Sequence, residues 1–128
     1  MKKIDITCII DDDPIFIFGT KRIMQSVNFC KEYMVFSNGK EAYDNLKKII
    51  LNDEKQPDVI LLDLNMPIWD GWEFLDEFIK IPNEKKIHIY IITSSIDPAD
   101  IERAKAYDFI SNYIVKPITM DELKKMMF

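Results

Sequence analysis

The sequence predicts an α/β domain in which five strands alternate with five helices around one parallel sheet. Three observations carry this. Five short apolar runs recur along the chain, at 4–10, 33–36, 58–62, 87–92 and 113–115. The segments between them have helical period, and each opens on a capping residue. The first, third and fourth runs are nearly continuous in apolar or β-branched residues, the mark of strands covered on both faces. Such alternation implies parallel strands joined by right-handed crossovers.

The first run stops at three consecutive aspartates, Asp11, Asp12 and Asp13. Asp13 followed by Pro14 is an N-cap with proline at the first helical position, opening a helix to about Phe29. "YMVF" is the second strand. Asn38 with Glu41 three residues on has capping-box spacing, and Ala42, Leu46, Ile49 and Ile50 then fall on one helical face. The third strand, "DVILL", ends at Asp63. Asp70 and Glu73 repeat the cap ahead of Trp72, Leu75, Phe78 and Ile79. The fourth strand runs into Thr93, and Asp97-Pro98 opens a helix through about Tyr107. The fifth strand ends at Lys116, and Thr119 with Glu122 opens a last helix over 120–127. No linker or internal repeat interrupts this rhythm, so 1–128 reads as one domain.

Net charge is −5, which argues against non-specific nucleic-acid binding, since that needs a basic face. Cys8 and Cys30 sit in apolar contexts without metal-ligand spacing, so both read as reduced core residues of a cytoplasmic protein. Asp5 interrupts the apolar stretch after "MKK", against a signal peptide, and no run is long enough to span a bilayer.

The residues that end the strands carry the chemistry. In a parallel sheet all carboxyl ends lie on one edge, so Asp11 and Asp12, Asp63, Thr93 and Lys116 converge there. Open α/β sheets bind ligands on that edge. Three carboxylates within a few ångströms of one ammonium leave a surplus of about two negative charges, which either raises a carboxyl pKa or calls for a divalent cation. Hard carboxylate oxygens, with no His or Cys among them, favour Mg²⁺ or Mn²⁺ over Zn²⁺. A cation, a hydroxyl and an amine together suit a phosphoryl group, and Asp63 supplies a nucleophile. Taken singly, "DDDP" is a helix start, Asp63 a turn residue, Thr93 a polar residue before a loop and Lys116 a strand end. Their joint placement at four strand ends is what those separate readings leave unexplained.

The motifs "IIDDDP", "VILLDLNMPIWDG", "IITSS" and "NYIVKPIT", in this order and spacing, resemble receiver domains of bacterial two-component response regulators over nearly the whole chain. The resemblance implies a doubly wound (βα)5 flavodoxin-like domain with strand order 2-1-3-4-5, the known order of that fold. It implies Asp63 as phospho-acceptor, with Mg²⁺ held by Asp12, Asp63 and the Asn65 backbone carbonyl beside Asp11. Thr93 would be the switch hydroxyl, Lys116 the phosphoryl contact and Tyr113 the aromatic rotamer switch. Asn65 and Ser95 would tune the phosphoryl lifetime, and the Lys116-Pro117 bond would be cis. A sensor histidine kinase or histidine phosphotransferase would be the donor, and a downstream protein the reader. Phosphorylation-dependent homodimerisation is a further expectation. The chain resembles a stand-alone receiver, not an enzyme beyond its own phosphotransfer and slow autodephosphorylation.

Three departures stand out: Phe109 where many relatives have glycine, Ser94 for a smaller residue, and Trp69 for an aliphatic or methionine. Trp69, Trp72 and Phe74 form an aromatic group read either as helix packing or as a kinase contact. His88 reads as a packed or edge residue, and Met126, Met127 and Phe128 as packing for the last helix. The competing functions are an unphosphorylated pseudo-receiver, an Asp-nucleophile phosphatase and a flavin carrier. The phosphatase would need a second Asp where Asn65 stands. The flavin carrier would need a phosphate loop where the acids stand.

Overall fold

The computed structural model describes residues 4–126. Its elements run β1 (Ile6–Ile10), α1 (Pro14–Ser26), β2 (Glu32–Phe36), α2 (Gly39–Leu51), β3 (Val59–Leu62), α3 (Gly71–Phe78), β4 (His88–Thr93), α4 (Pro98–Lys105), β5 (Ile110–Val115) and α5 (Met120–Met126). The strands form one sheet in the order β2-β1-β3-β4-β5, with every neighbouring pair parallel. The three most apolar runs are its three interior strands. The edge strands β2 and β5 expose polar residues, among them Glu32, Ser111 and Asn112.

Period-two alternation sends successive side chains to opposite faces. Ile9, Val59, Leu61, Tyr90 and Ile92 face one side, where they pack with Met24 of α1 and with Leu123 and Met126 of α5. Cys8, Ile10, Ile60, Leu62, Ile89 and Ile91 face the other, against Leu46 of α2, Phe74 and Leu75 of α3 and Ala104 of α4. The interior strands read as unbroken apolar runs because both faces are covered.

Some boundaries differ from the sequence prediction. Helix α1 stops at Ser26 instead of reaching Phe29. Asn28 takes the left-handed conformation at φ 51°, and the Phe29 amide returns to the Met24 carbonyl at 2.9 Å. Asn tolerates that conformation and ends helices for this reason. Strand β5 begins at Ile110, before the apolar run, because a bulge opposite Ile89 and Tyr90 leaves Ser111 unpaired. Cys8 is fully buried in the core, and Cys30 is half-buried, packed against the core edge with its thiol donating to the Glu32 carbonyl at 3.3 Å. Met126 packs as expected, and Met127 and Phe128 lie outside the described residues. Phe109 packs edge-on against Tyr107 at 5.3 Å, filling space that a glycine would leave.

The edge of the sheet opposite the strand ends is pinned by Asp58. One of its oxygens accepts the backbone N–H groups of Asp5 (2.8 Å) and Ile6 (3.1 Å), and the other accepts the Lys85 ammonium at 2.7 Å. Burial alone would raise its pKa, but Lys85 and the two amides outweigh burial and lower it. Asp58→Ala is therefore expected to lower unfolding stability by about 2 kcal/mol at neutral pH, measured by urea denaturation. A depressed folded pKa means this stability is present above about pH 4 and lost as pH falls through the folded value, so variant and wild type should converge in acid.

Candidate functional site

The three aspartates after β1 have three different tasks. Asp13 caps α1, accepting the Ile15 amide at 3.0 Å. Asp11 is 1% exposed, and its Oδ1 accepts the Asp13 amide at 2.9 Å. Asp12 is exposed at the rim. Across the crevice, the Asp63 amide continues the ladder by donating to the Ile10 carbonyl at 2.9 Å, which fixes its 5%-exposed side chain beside Asp11. One carboxylate oxygen from each of Asp11, Asp12 and Asp63 lies within 4.8 Å of the others.

Lys116 enters from the end of β5, its amide bonded to the Thr93 carbonyl at 2.8 Å. Its ammonium stands 2.8 Å from Asp11 Oδ2 and 3.4 Å from Asp63 Oδ2, and 4.3 Å over the Phe16 ring. Burial would lower the Lys116 pKa, but Asp11 and then Asp63 outweigh it and hold the amine above its ordinary value. Burial pushes the Asp11 carboxyl up, only partly opposed by Lys116 and the Asp13 amide. Lys116 is the one charged partner of the buried Asp11 Oδ2 among the described residues. Three carboxylates against a single ammonium, with hard oxygen donors throughout, fit a small divalent cation.

The fourth wall is the segment after β4. Thr93 is fully buried, and its Oγ1 accepts the Ser95 amide at 3.3 Å. Ser95 accepts the Tyr113 hydroxyl on its carbonyl at 2.9 Å. Tyr113 is thus already turned onto this loop. Asn65 places its amide 3.4 Å from Asp63 Oδ1, with its side chain exposed. The structure gathers Asp11, Asp12 and Asp63 oxygens within 4.8 Å, sets the Lys116 ammonium against Asp11 and Asp63, and holds Thr93, Ser95 and Tyr113 as a bonded group beside them. The Lys116-Pro117 bond is cis.

The aromatic group read from the sequence is divided. Phe74 is fully buried and stacks on Phe78, whereas Trp72 is 7% exposed and stacks on Tyr107. Trp69 lies against Tyr43 with ring centroids 5.2 Å apart. Only Trp69 is open enough to meet a partner.

Sequence reasoning missed three contributors. Phe16 was one apolar residue in "PIFIF", yet it backs the Lys116 ammonium. Asp100 was one acid in a helical first turn, yet it binds Ser95. Gly71 closes the motif "VILLDLNMPIWDG", and a Cβ there would lie 2.6 Å from the Asp63 carbonyl oxygen and 2.9 Å from Leu64 Cα. "DG" before the helix was the available signal for that close approach. Gly71→Ala must push β3's end away from α3. It is expected to lower stability by about 1–3 kcal/mol, read as an earlier urea midpoint.

A family model described as response regulator receiver domain matches residues 7–128. The crystal structure of a two-component response regulator from Cytophaga hutchinsonii superposes with a TM-score of 0.87 at 31% identity, covering 98% of this chain and 95% of that one. Response regulator Rcp1 of Synechocystis is 36% identical over 95 residues, which are 73% of this chain and 58% of that protein. The probable methanogenesis regulatory protein FilR2 of Methanothrix harundinacea is 25% identical over 120 residues, 94% of this chain and 77% of that protein. The chain spans 77% of the length of FilR2 but 10% of that of the sensor histidine kinase CheAY of Helicobacter pylori.

Proposed function

Because the chain belongs to the response regulator receiver domain family of two-component signalling, we propose that it is a phosphorylation-dependent switch with Asp63 as its acceptor. The observation that carries this is the meeting of Asp11, Asp12 and Asp63 oxygens within 4.8 Å, with the Lys116 ammonium against two of them. Asp63 attacks the phosphorus of a phosphohistidine on a sensor histidine kinase or histidine phosphotransferase. The Asp63 oxygen–phosphorus bond forms as the phosphorus–nitrogen bond breaks, and the imidazole leaves.

Asp12, Asp63 and the Asn65 carbonyl would hold Mg²⁺, or Mn²⁺ in its place, with Asp11 beside them. The ion would screen the incoming phosphoryl oxygens and offset the surplus of carboxylates. Lys116 moves its charge from Asp11 and Asp63 to a phosphoryl oxygen, and Thr93 donates its hydroxyl to another. Phosphorylation adds about −1.5 to −2 charge at this point. Ser95 and Tyr113 follow Thr93, so the surface of α4, β5 and α5 changes for a downstream protein or a second copy of the chain. Asn65 and Ser95 border the path of the hydrolytic water and tune how long the acyl phosphate lasts.

Residues 1–128 act as a single regulatory receiver in the cytoplasm, with no reaction beyond phosphotransfer and slow self-hydrolysis. No helix among the described residues is long and apolar enough to cross a membrane. The test is incubation with acetyl phosphate, with and without Mg²⁺, followed by intact mass and peptide mapping. Metal-dependent gain of one phosphoryl group at Asp63 supports the reading. No gain in either condition would favour an unphosphorylated interaction module.

A further inference from the structure

The first turn of α4 carries Asp100, which joins two walls of the site. Its Oδ2 accepts the Ser95 hydroxyl at 2.6 Å, and its Oδ1 accepts the Trp72 indole N–H at 3.0 Å. Trp72 is a fixed donor. It is 7% exposed, stacked on Tyr107 at 5.6 Å and covered by the Arg103 guanidinium at 4.6 Å. It also follows Gly71, the residue pressed against the Asp63 backbone. Ser95 in turn places its amide on Thr93 Oγ1 at 3.3 Å, a long bond whose geometry depends on where Ser95 is held. The contacts thus run in series from Asp63 through Gly71, Trp72, Asp100 and Ser95 to Thr93.

We propose that Asp100 is a positioning residue for Thr93, setting through Ser95 and Trp72 where the hydroxyl stands relative to Asp63. This rests on the phosphoryl-switch reading and extends it to a residue that touches neither metal nor phosphoryl group. The Ser95 amide occupies a lone pair of Thr93 Oγ1 and leaves its proton to donate across the site. With Asp100 gone, Ser95 loses its side-chain acceptor and the buried indole N–H loses its partner. The segment after β4 then samples positions in which Thr93 no longer faces a phosphoryl oxygen. An acid serving only the helix dipole would affect stability and nothing at the site.

Beryllofluoride, a phosphoryl mimic, separates the two roles. Calorimetric titration of the full chain is expected to show Asp100→Ala weakening beryllofluoride binding in Mg²⁺ by about fivefold, with affinity for Mg²⁺ alone unchanged. In the metal-free protein, the Ser95 amide should exchange hydrogen faster. In a Thr93→Ala background, Asp100→Ala should cause no further loss. Asp100→Asn keeps one acceptor oxygen and should fall between, and it carries the same test should the alanine variant unfold. Unchanged beryllofluoride affinity in the variants, or an equal loss without Thr93, overturns the proposal. If the unaltered chain binds no beryllofluoride, the switch reading itself fails.

Discussion

Asp63→Asn should take up no phosphoryl group from acetyl phosphate in Mg²⁺, under conditions where the wild type is labelled. The amide has nearly the carboxylate's shape but no nucleophilic anion, so the proposed reaction loses its acceptor and one of the two carboxylates that would hold the metal. A loss of more than about a thousandfold in labelling rate is expected, as when other covalent nucleophiles are removed. The fold should survive. Asp63 is a buried charge beside the buried Asp11, and Lys116 still has Asp11 at 2.8 Å after the change. Thermal unfolding of the metal-free variant should match or exceed that of the wild type, which separates lost chemistry from lost structure. Label remaining on the variant, mapped to Asp11 or Asp12, would show that the acceptor is another carboxylate.

The second large effect is expected from Lys116→Met. The Lys116 side chain is 16% exposed and that of Asp11 1%, so removing the ammonium leaves carboxylates uncompensated in a dry site. Breaking a buried pair by deleting one partner costs about 3–5 kcal/mol. The metal-free variant should lose stability of that order at neutral pH. The loss should shrink as pH falls. Asp11 already has a raised pKa, and without Lys116 it rises further. The folded state then binds the proton more tightly than the unfolded chain, so stability declines as pH rises between the two values. Added Mg²⁺ should restore much of the loss by supplying the missing positive charge. Denaturant titrations at acid and neutral pH, with and without Mg²⁺, check this. A variant as stable as wild type in metal-free buffer at neutral pH would mean that Lys116 does not compensate the acids.

Helix starts were readable because a cap is a local device. Asp13, Asn38, Asp70 and Asp97 each accept a backbone amide two or three residues on, and Thr119 and Glu122 bond reciprocally. The end of α1 was not, since Asn28 adopts its left-handed turn as Phe29 becomes buried, a tertiary event. The start of β5 was hidden because Ser111 and Asn112, at the bulge of an edge strand, separate Ile110 from the apolar run at 113–115. The strand-end residues of the site were readable from the parallel-sheet rule alone. Phe16, Gly71 and Asp100 were not. Trp72 and Asp100 are 28 positions apart, and no periodicity in the sequence links them.

The loop after β3 is gripped by backbone on both sides. Gly39 at the start of α2 donates to the Trp69 carbonyl at 3.0 Å, where a Cβ would meet that oxygen at 2.8 Å, and Gly71 presses on Asp63 itself. The opposite wall, from Thr93 to Asp100, is held by side-chain hydroxyl and carboxylate bonds that can exchange partners. One bank of the crevice is therefore fastened by backbone and the other by side chains. On the phosphoryl-switch reading, work done at Asp63 would pass toward α4 and β5 and leave α2 in place.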